Sequence, residues 1–245
     1  VLIAAHEWAR LAAFGRAGWL LLVGGLAASG AMLLAVSGAG LDHGWPREVL
    51  LAACGLATLF WLAVAPPWVI RRWPIRSPVA LTLAGWVVLS GAWIALVELQ
   101  ARAPWLVLAA MAIVWIADTA AYFAGRVFGR RKLAPLVSPG KTWEGVFGGL
   151  VAVAIYAAAL APFAQAAGYD GPVAPLAFAA WIAFALSLAS LSVIGDLYES
   201  WLKRVAGVKD SGTLLPGHGG VLDRIDALVA AMPPAALAAH WFLRS

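Results

Sequence analysis

Apolar residues in this chain come in long unbroken stretches. They show neither the alternation of a half-buried strand nor the single stripe of a surface helix. Six stretches contain no Asp, Glu, Lys or Arg: Ala17–Leu41, Val49–Ile70, Ser77–Val97, Gly145–Tyr169, Gly171–Gly195 and Ala227–Leu243. A seventh, Ala103–Ala117, continues past Asp118 to Gly125. Each is close to the roughly 20 apolar residues that carry a helix across a hydrocarbon core. Val1–Ala5, running on to Phe14, reads as the end of another span. The pattern predicts an all-α, polytopic transmembrane helical bundle with about eight spans, seven full and one partial. The chain opens at Val1 in mid-hydrophobic sequence, so a preceding segment with part or all of a further helix is expected.

Composition agrees. Hydrophobic residues make up 63% of the 245 and charged ones 12%, against about 45–50% and 25% in a soluble domain. There is too little polar surface to cover a globule in water. Cys54, the single cysteine, lies inside an apolar run and reads as a small buried hydrophobe. A net charge of +5 would suggest nucleic acid in a soluble chain. Here it points to topology and to anionic partners, and no nucleic-acid partner is expected.

The charges sort by connection. Counting connections between spans, the first holds Arg10 and Arg16, and the third Arg71, Arg72 and Arg76. The fifth holds Arg126, Arg130, Arg131, Lys132 and Lys141, and the seventh Lys203, Arg204, Lys209 and Arg224. Of the 17 Lys and Arg, only Arg47, Arg102 and Arg244 fall on the other side. The positive-inside rule makes the basic side cytoplasmic. Residues 1–103 then form an N-terminal set of helices. Residues 104–245 form the region that carries the chemistry, with cytoplasmic loops 126–144 and 196–226.

The seventh connection is the richest. Asp196, Ser200 and Lys203 recur at helical spacing, so the helix is expected to continue beyond the apolar run with these on one face. Arg204 adjoins them, and Lys209 and Asp210 follow. Three of the four residues Gly217–Gly220 are glycine, a sequence that breaks a helix and lets a ligand approach main-chain N–H groups. A new helix is expected near Leu222, with Asp223 and Asp226 on one face at its start and Arg224 between them. Hard cations such as Mg²⁺ take carboxylate oxygens plus substrate phosphates, and Lys and Arg neutralise phosphate charge. The combination reads as metal-assisted phosphoryl or nucleotidyl transfer. Plain juxtamembrane charge and N-capping need neither a His-Gly-Gly turn nor paired aspartates.

In the fifth connection, Asp118 sits in an otherwise apolar helix, where a carboxylate marks function by default; Tyr122 and Gly125 share its face, which is expected to point into the protein or a cavity. Gly140-Lys141-Thr142 is not a P-loop, because Pro stands at position 135 where that motif needs Gly, and the surroundings are membrane helix. His218 has no second His or Cys at zinc-ligand spacing, and His6, His43 and His240 are scattered. Gly145 and Gly149 form a GxxxG pair suited to close helix packing. The Trp residues are expected to include interfacial anchors.

Taken together, Ser200-Trp-Leu-Lys203-Arg204, Lys209-Asp210, Pro216-Gly-His218-Gly219-Gly220 and Asp223-Arg224-Ile-Asp226 resemble the signature of phosphatidate cytidylyltransferases (CDP-diacylglycerol synthases). Asp118-Thr-Ala-Ala-Tyr122, Gly125-Arg126, Lys132-Leu-Ala-Pro and Ser138-Pro-Gly-Lys141-Thr-Trp-Glu-Gly145 resemble the same family, and Glu7-Trp8 fits the usual end of its first span. The resemblance implies that CTP and phosphatidate give CDP-diacylglycerol and pyrophosphate, in phospholipid biosynthesis. It also implies Mg²⁺, with a second, monovalent cation such as K⁺ beside it, and a homodimer. The family's metal-binding aspartates carry over to Asp196 and Asp223.

On this reading Lys203, Arg204, Lys209 and Arg224 hold the triphosphate, and Ser138 to Lys141 add a second phosphate contact. Asp210, His218, Gly219, Gly220 and Asp226 complete the site. The expected location is a bacterial inner membrane, with the site facing the cytoplasm. Two other readings are a CTP-dependent polyprenol or phytol kinase, and an ion or solute transporter with Asp118 on its path.

Overall fold

The computed structural model describes residues 1–38, 43–73, 77–163, 175–214, 216–217 and 219–242. It begins with a ten-residue helix, α1 (Leu2–Leu11). Seven helices long and apolar enough to span a membrane follow: α2 (Arg16–Ser37), α3 (Arg47–Arg71), α4 (Pro78–Arg102), α5 (Pro104–Phe128), α6 (Trp143–Phe163), α7 (Pro175–Ala206) and α8 (Leu222–Phe242). This is the expected partial span plus seven, in an integral membrane protein. The helices reach past the charge-free runs to take in Arg16, Arg47, Arg71 and Arg102 at their ends. A long arginine stem can lie along apolar surface while its head reaches the interface.

Local signals set the ends. Ser77 Oγ caps α4 by accepting from Ala80 N at 3.4 Å, and Thr142 Oγ1 caps α6 by accepting from Gly145 N at 3.1 Å. Proline opens both α4 and α5, where a missing N–H costs nothing. Gly38, at φ 61°, takes the left-handed backbone conformation that stops α2.

Between α5 and α6 the expected loop contains a hairpin. β1 (Lys132–Ala134) pairs antiparallel with β2 (Ser138–Thr142), in the register Lys132 to Thr142 and Ala134 to Ser138. Pro135 occupies the second position of its turn, which Val137 N closes onto Ala134 O at 3.1 Å. The connection between α7 and α8 is also shorter than the 196–226 read from sequence. α7 runs on to Ala206, so only 207–221 lies between helices. At 1.5 Å per residue its 32 residues extend about 48 Å, against a hydrocarbon core of roughly 30 Å. Its charged end therefore projects from the apolar phase, as the sequence pattern predicts.

Small residues bring the helices of the site together. On α6, Gly145 and Gly149 face α5 so closely that a Cβ would stand 2.7 Å from Ala121 O and from Ala117 O respectively. The GxxxG pair is thus a packing motif, and α5 and α6 form an intimate hairpin. Gly195 of α7 does the same for α8, where a Cβ would lie 2.4 Å from Asp226 O. α8 is the central helix: half of its apolar window is buried, against 17% for α2.

Under the charged end lies an aromatic floor. The buried Tyr198 ring stacks on Trp68 (5.8 Å, 20°) and meets Phe60 and Trp61 edge-on. Three tryptophans are internal staples instead of interfacial anchors. Trp8 donates to Leu81 O (3.1 Å), Trp61 to Val229 O (3.0 Å) and Trp201 to Trp68 O (2.9 Å).

Candidate active site

Three segments converge at one end of the bundle: the hairpin, the end of α7, and the turn leading into α8. Two ion pairs define the meeting. Lys141 Nζ of β2 lies 2.6 Å from Asp196 Oδ2 of α7. Lys203 Nζ, two turns further along α7, lies 2.6 Å from Asp223 Oδ1 at the start of α8. Lys203 also pairs with Glu199, one turn back on its own helix. Ser200 Oγ donates to Asp196 Oδ1 at 3.2 Å, so the predicted Asp196–Ser200–Lys203 face is real.

The two pairs differ in setting. Lys141 and Asp196 keep 22% and 28% of their side chains accessible, whereas Asp223 keeps 7%. The first pair is open to an incoming ligand, and the second is built into the frame. Asp226 joins them, since it stands in the electrostatic field of Asp196, Lys141 and Lys203. Asp118, exposed on α5, feels Lys141 and Asp196. Its expected polar face is divided: Gly125 packs towards Thr142 and Gly145, while Tyr122 stays exposed and accepts from Arg126 at 3.2 Å.

The glycine turn is shaped around Asp223. Asp223 Oδ2 accepts from Gly220 N (2.8 Å), Ser211 N (2.9 Å) and Ser211 Oγ (2.9 Å). Gly219 has φ 82°, and a Cβ there would sit 2.6 Å from that same oxygen. The residue therefore has to be glycine for both conformation and space. Sequence reasoning left these N–H groups open to a ligand, but Gly220 N is committed to Asp223.

The other predicted residues fall around this centre. Arg204 Nε donates to Val137 O at 3.2 Å, tying α7 to the hairpin. Ser138 is half-buried in β2 beside Ala134, and Lys209, Asp210 and Arg224 are exposed around the turn. His218 lies outside the described residues. Two carboxylates with a place in the site were given no role by sequence reasoning. Glu199 and Glu7 are each 3% exposed. Glu7 reaches in from α1, accepting from Val221 N and Leu222 N and sharing the single Ser211 hydroxyl proton with Asp223. A buried carboxylate in an apolar stretch is expensive, and that rarity was the signal in the sequence.

Among the described residues no three carboxylates or histidines converge closely enough to enclose a metal ion alone. Mg²⁺ does not need such a cage, because it binds through one or two carboxylates and completes its shell with water and substrate phosphates. Asp196, with accessible oxygens and two further aspartates in its field, offers hard donors of that kind.

A membrane-embedded helical bundle carrying acidic and cationic side chains at one end is the framework of an integral-membrane transferase. The chain belongs to the cytidylyltransferase family, which it matches over residues 1–242. It is 42% identical over 249 aligned residues to a phosphatidate cytidylyltransferase of Pseudomonas aeruginosa, covering 95% of this chain and 82% of that one. A protein of the same name from Brucella suis is 40% identical over 237 residues, with 92% and 76% covered. One from Haemophilus influenzae is 51% identical over 121 residues, a match that spans 49% of this chain and 41% of the relative.

Proposed function

We propose that the protein transfers the cytidylyl group of CTP to phosphatidate, forming CDP-diacylglycerol and pyrophosphate for phospholipid biosynthesis. The observation that carries this reading is the paired arrangement of Lys141 with Asp196 and Lys203 with Asp223 at one end of the bundle. Relatives named for this activity align along most of the chain. Both substrates are anionic. One lies in the leaflet with its phosphate at the surface, and the other arrives from water. A site that joins them needs countercharge at the membrane boundary, and the charged end of α7 supplies it.

A phosphatidate oxygen attacks the α-phosphorus of CTP in line. The new P–O bond forms as the bond from the α-phosphorus to the bridging oxygen breaks, and pyrophosphate leaves with that electron pair. The attacking oxygen is already ionised near neutral pH, so no strong general base is required. Lys203, Arg204, Lys209 and Arg224 hold the triphosphate and take up the charge that develops on the leaving group. Lys141, with Ser138, contacts a phosphate once substrate draws it away from Asp196.

Asp196 would hold Mg²⁺ through its accessible oxygens, and Asp223 would join it through Oδ1 once the triphosphate draws Lys203 away; when bound, the ion neutralises phosphate charge and orients the nucleotide. A monovalent cation beside it belongs to the same proposal. On this reading Asp118, Asp226, Ser200, Asp210, Gly219 and Gly220 line the site, and the family signature assigns His218 to it as well. The protein acts as a homodimer in a bacterial inner membrane with this end towards the cytoplasm, an orientation supported by the one-sided distribution of Lys and Arg.

Product analysis with labelled CTP tests the reaction. Label in the cytidine should enter the lipid fraction, and label in the terminal phosphate should leave as pyrophosphate. Terminal-phosphate label in lipid with cytidine released as CDP would instead make the protein a lipid kinase. Solute flux in liposomes that persists without CTP would make it a transporter.

A further inference from the structure

Glu7 stands more than two hundred residues away in sequence from the turn it touches, and nothing in the reaction above uses it. Its carboxylate lies almost wholly out of solvent, at 3% exposure. Such a charge persists in an apolar setting only if its oxygens are well satisfied. They are: Oε1 accepts from Val221 N at 3.0 Å, and Oε2 accepts from Leu222 N at 2.7 Å. These N–H groups belong to the start of α8, where a helix leaves donors without intrahelical partners. Glu7 therefore caps α8 from another helix.

The same carboxylate also reaches the centre of the site. Ser211 Oγ lies 3.0 Å from Glu7 Oε2 and 2.9 Å from Asp223 Oδ2, so a single hydroxyl stands between the two carboxylates. Asp223 Oδ2 holds Gly220 N while Glu7 holds the next two N–H groups. Three consecutive backbone donors, 220 to 222, are thus divided between the two acids. The turn is cut to fit: a Cβ on Gly212 would lie 2.6 Å from Glu7 Oε1, and one on Gly220 2.5 Å from Glu7 Oε2.

We propose that Glu7 is a positioning residue for the reaction, fixing Ser211 and the Gly219–Leu222 segment so that Asp223 and its partner Lys203 meet the nucleotide in register. The proposal rests on the cytidylyl-transfer reading above. Glutamine at position 7 keeps the shape of the side chain but turns one acceptor into a donor facing N–H groups. Alanine at position 212 leaves the acid chemically unchanged but pushes it aside.

The test is steady-state pyrophosphate release by the purified full chain in mixed micelles, varying CTP and phosphatidate separately. It compares wild type, Glu7→Gln, Gly212→Ala, Ser211→Ala and the Glu7→Gln/Ser211→Ala double variant. Losing a supporting partner of this kind lowers activity by about 10- to 100-fold. Glu7→Gln and Gly212→Ala should lower kcat/KM for CTP by that factor, with a raised CTP KM and a phosphatidate KM changed less than about twofold. The double variant should lose less than the product of the two single losses, since both act through one hydroxyl.

CTP kcat/KM within about twofold of wild type in both Glu7→Gln and Gly212→Ala would overturn the proposal. So would a fall in kcat alone that tracks the folded fraction with CTP KM unchanged, the mark of a purely structural acid. If Glu7→Gln does not fold, Gly212→Ala decides by the same criteria. Wild type that releases no pyrophosphate refutes the activity itself, whereas active wild type with unaffected variants refutes only the role of Glu7.

Discussion

Asp223→Asn separates what this carboxylate does for the fold from what it does for the reaction. Asp223 accepts four hydrogen bonds: Lys203 on Oδ1, and Ser211 N, Ser211 Oγ and Gly220 N on Oδ2. An asparagine whose carbonyl replaces Oδ2 retains three of them. Its amide then faces the Lys203 ammonium, donor against donor, and one charge-assisted bond is lost, worth about 1.5–3 kcal/mol. Lys203 keeps Glu199 as a partner, so its charge is not stranded. The variant should therefore fold and insert, less stable by about 2–3 kcal/mol.

Activity should fall further. The variant removes a negative charge from the frame that places Lys203 and, on the proposed reading, from the metal site. Losing one preorganised electrostatic element costs about 100- to 1000-fold in turnover, or about 3–4 kcal/mol at 1.36 kcal/mol per tenfold. Pyrophosphate release at saturating CTP, read beside an unfolding curve in the same detergent, separates the two effects. Near-normal turnover at limiting Mg²⁺ would refute the assignment of Asp223. A loss that matches the unfolded fraction would refute its catalytic part.

Lys141→Gln should show the opposite balance. Its pair with Asp196 is partly accessible, so stability should drop by no more than about 1 kcal/mol, while kcat/KM for CTP falls about 100-fold. Unchanged CTP kinetics would remove Lys141 from the site. At the far end of the bundle, Glu98 is 3% exposed, accepts from Trp45 N at 3.0 Å and pairs with Arg102 at 2.8 Å. Glu98→Ala should cost about 3 kcal/mol of stability and leave the CTP KM of the folded fraction unchanged. A shift in that KM would mean that the two ends of the bundle are coupled.

The membrane architecture was legible because hydrocarbon imposes long uncharged helices, and a charged residue interrupts such a run visibly. Helix ends were less legible, since Arg16 and Arg71 lie within helices whose apolar runs stop beside them. The Asp196–Ser200–Lys203 face followed from helical spacing alone. The hairpin did not, because Lys132–Ala134 and Ser138–Thr142 lack the apolar alternation that marks a strand. They pair through the Pro135 turn and the N-terminal cap of α6. Nor could spacing reveal that Lys141 meets Asp196, or that Glu7 meets Ser211. Those contacts depend on how α1, the hairpin and α7 pack in space, and the glycines that allow the packing look alike in sequence.

The most direct measurement is pyrophosphate release by the purified protein in phosphatidate-containing micelles, with CTP and phosphatidate omitted in turn and Mg²⁺ removed by chelation. The account predicts release only when both substrates are present, one pyrophosphate for each cytidine that enters lipid, and loss on chelation that added Mg²⁺ restores. Release without phosphatidate, or lipid labelled from CTP with no pyrophosphate formed, would contradict it.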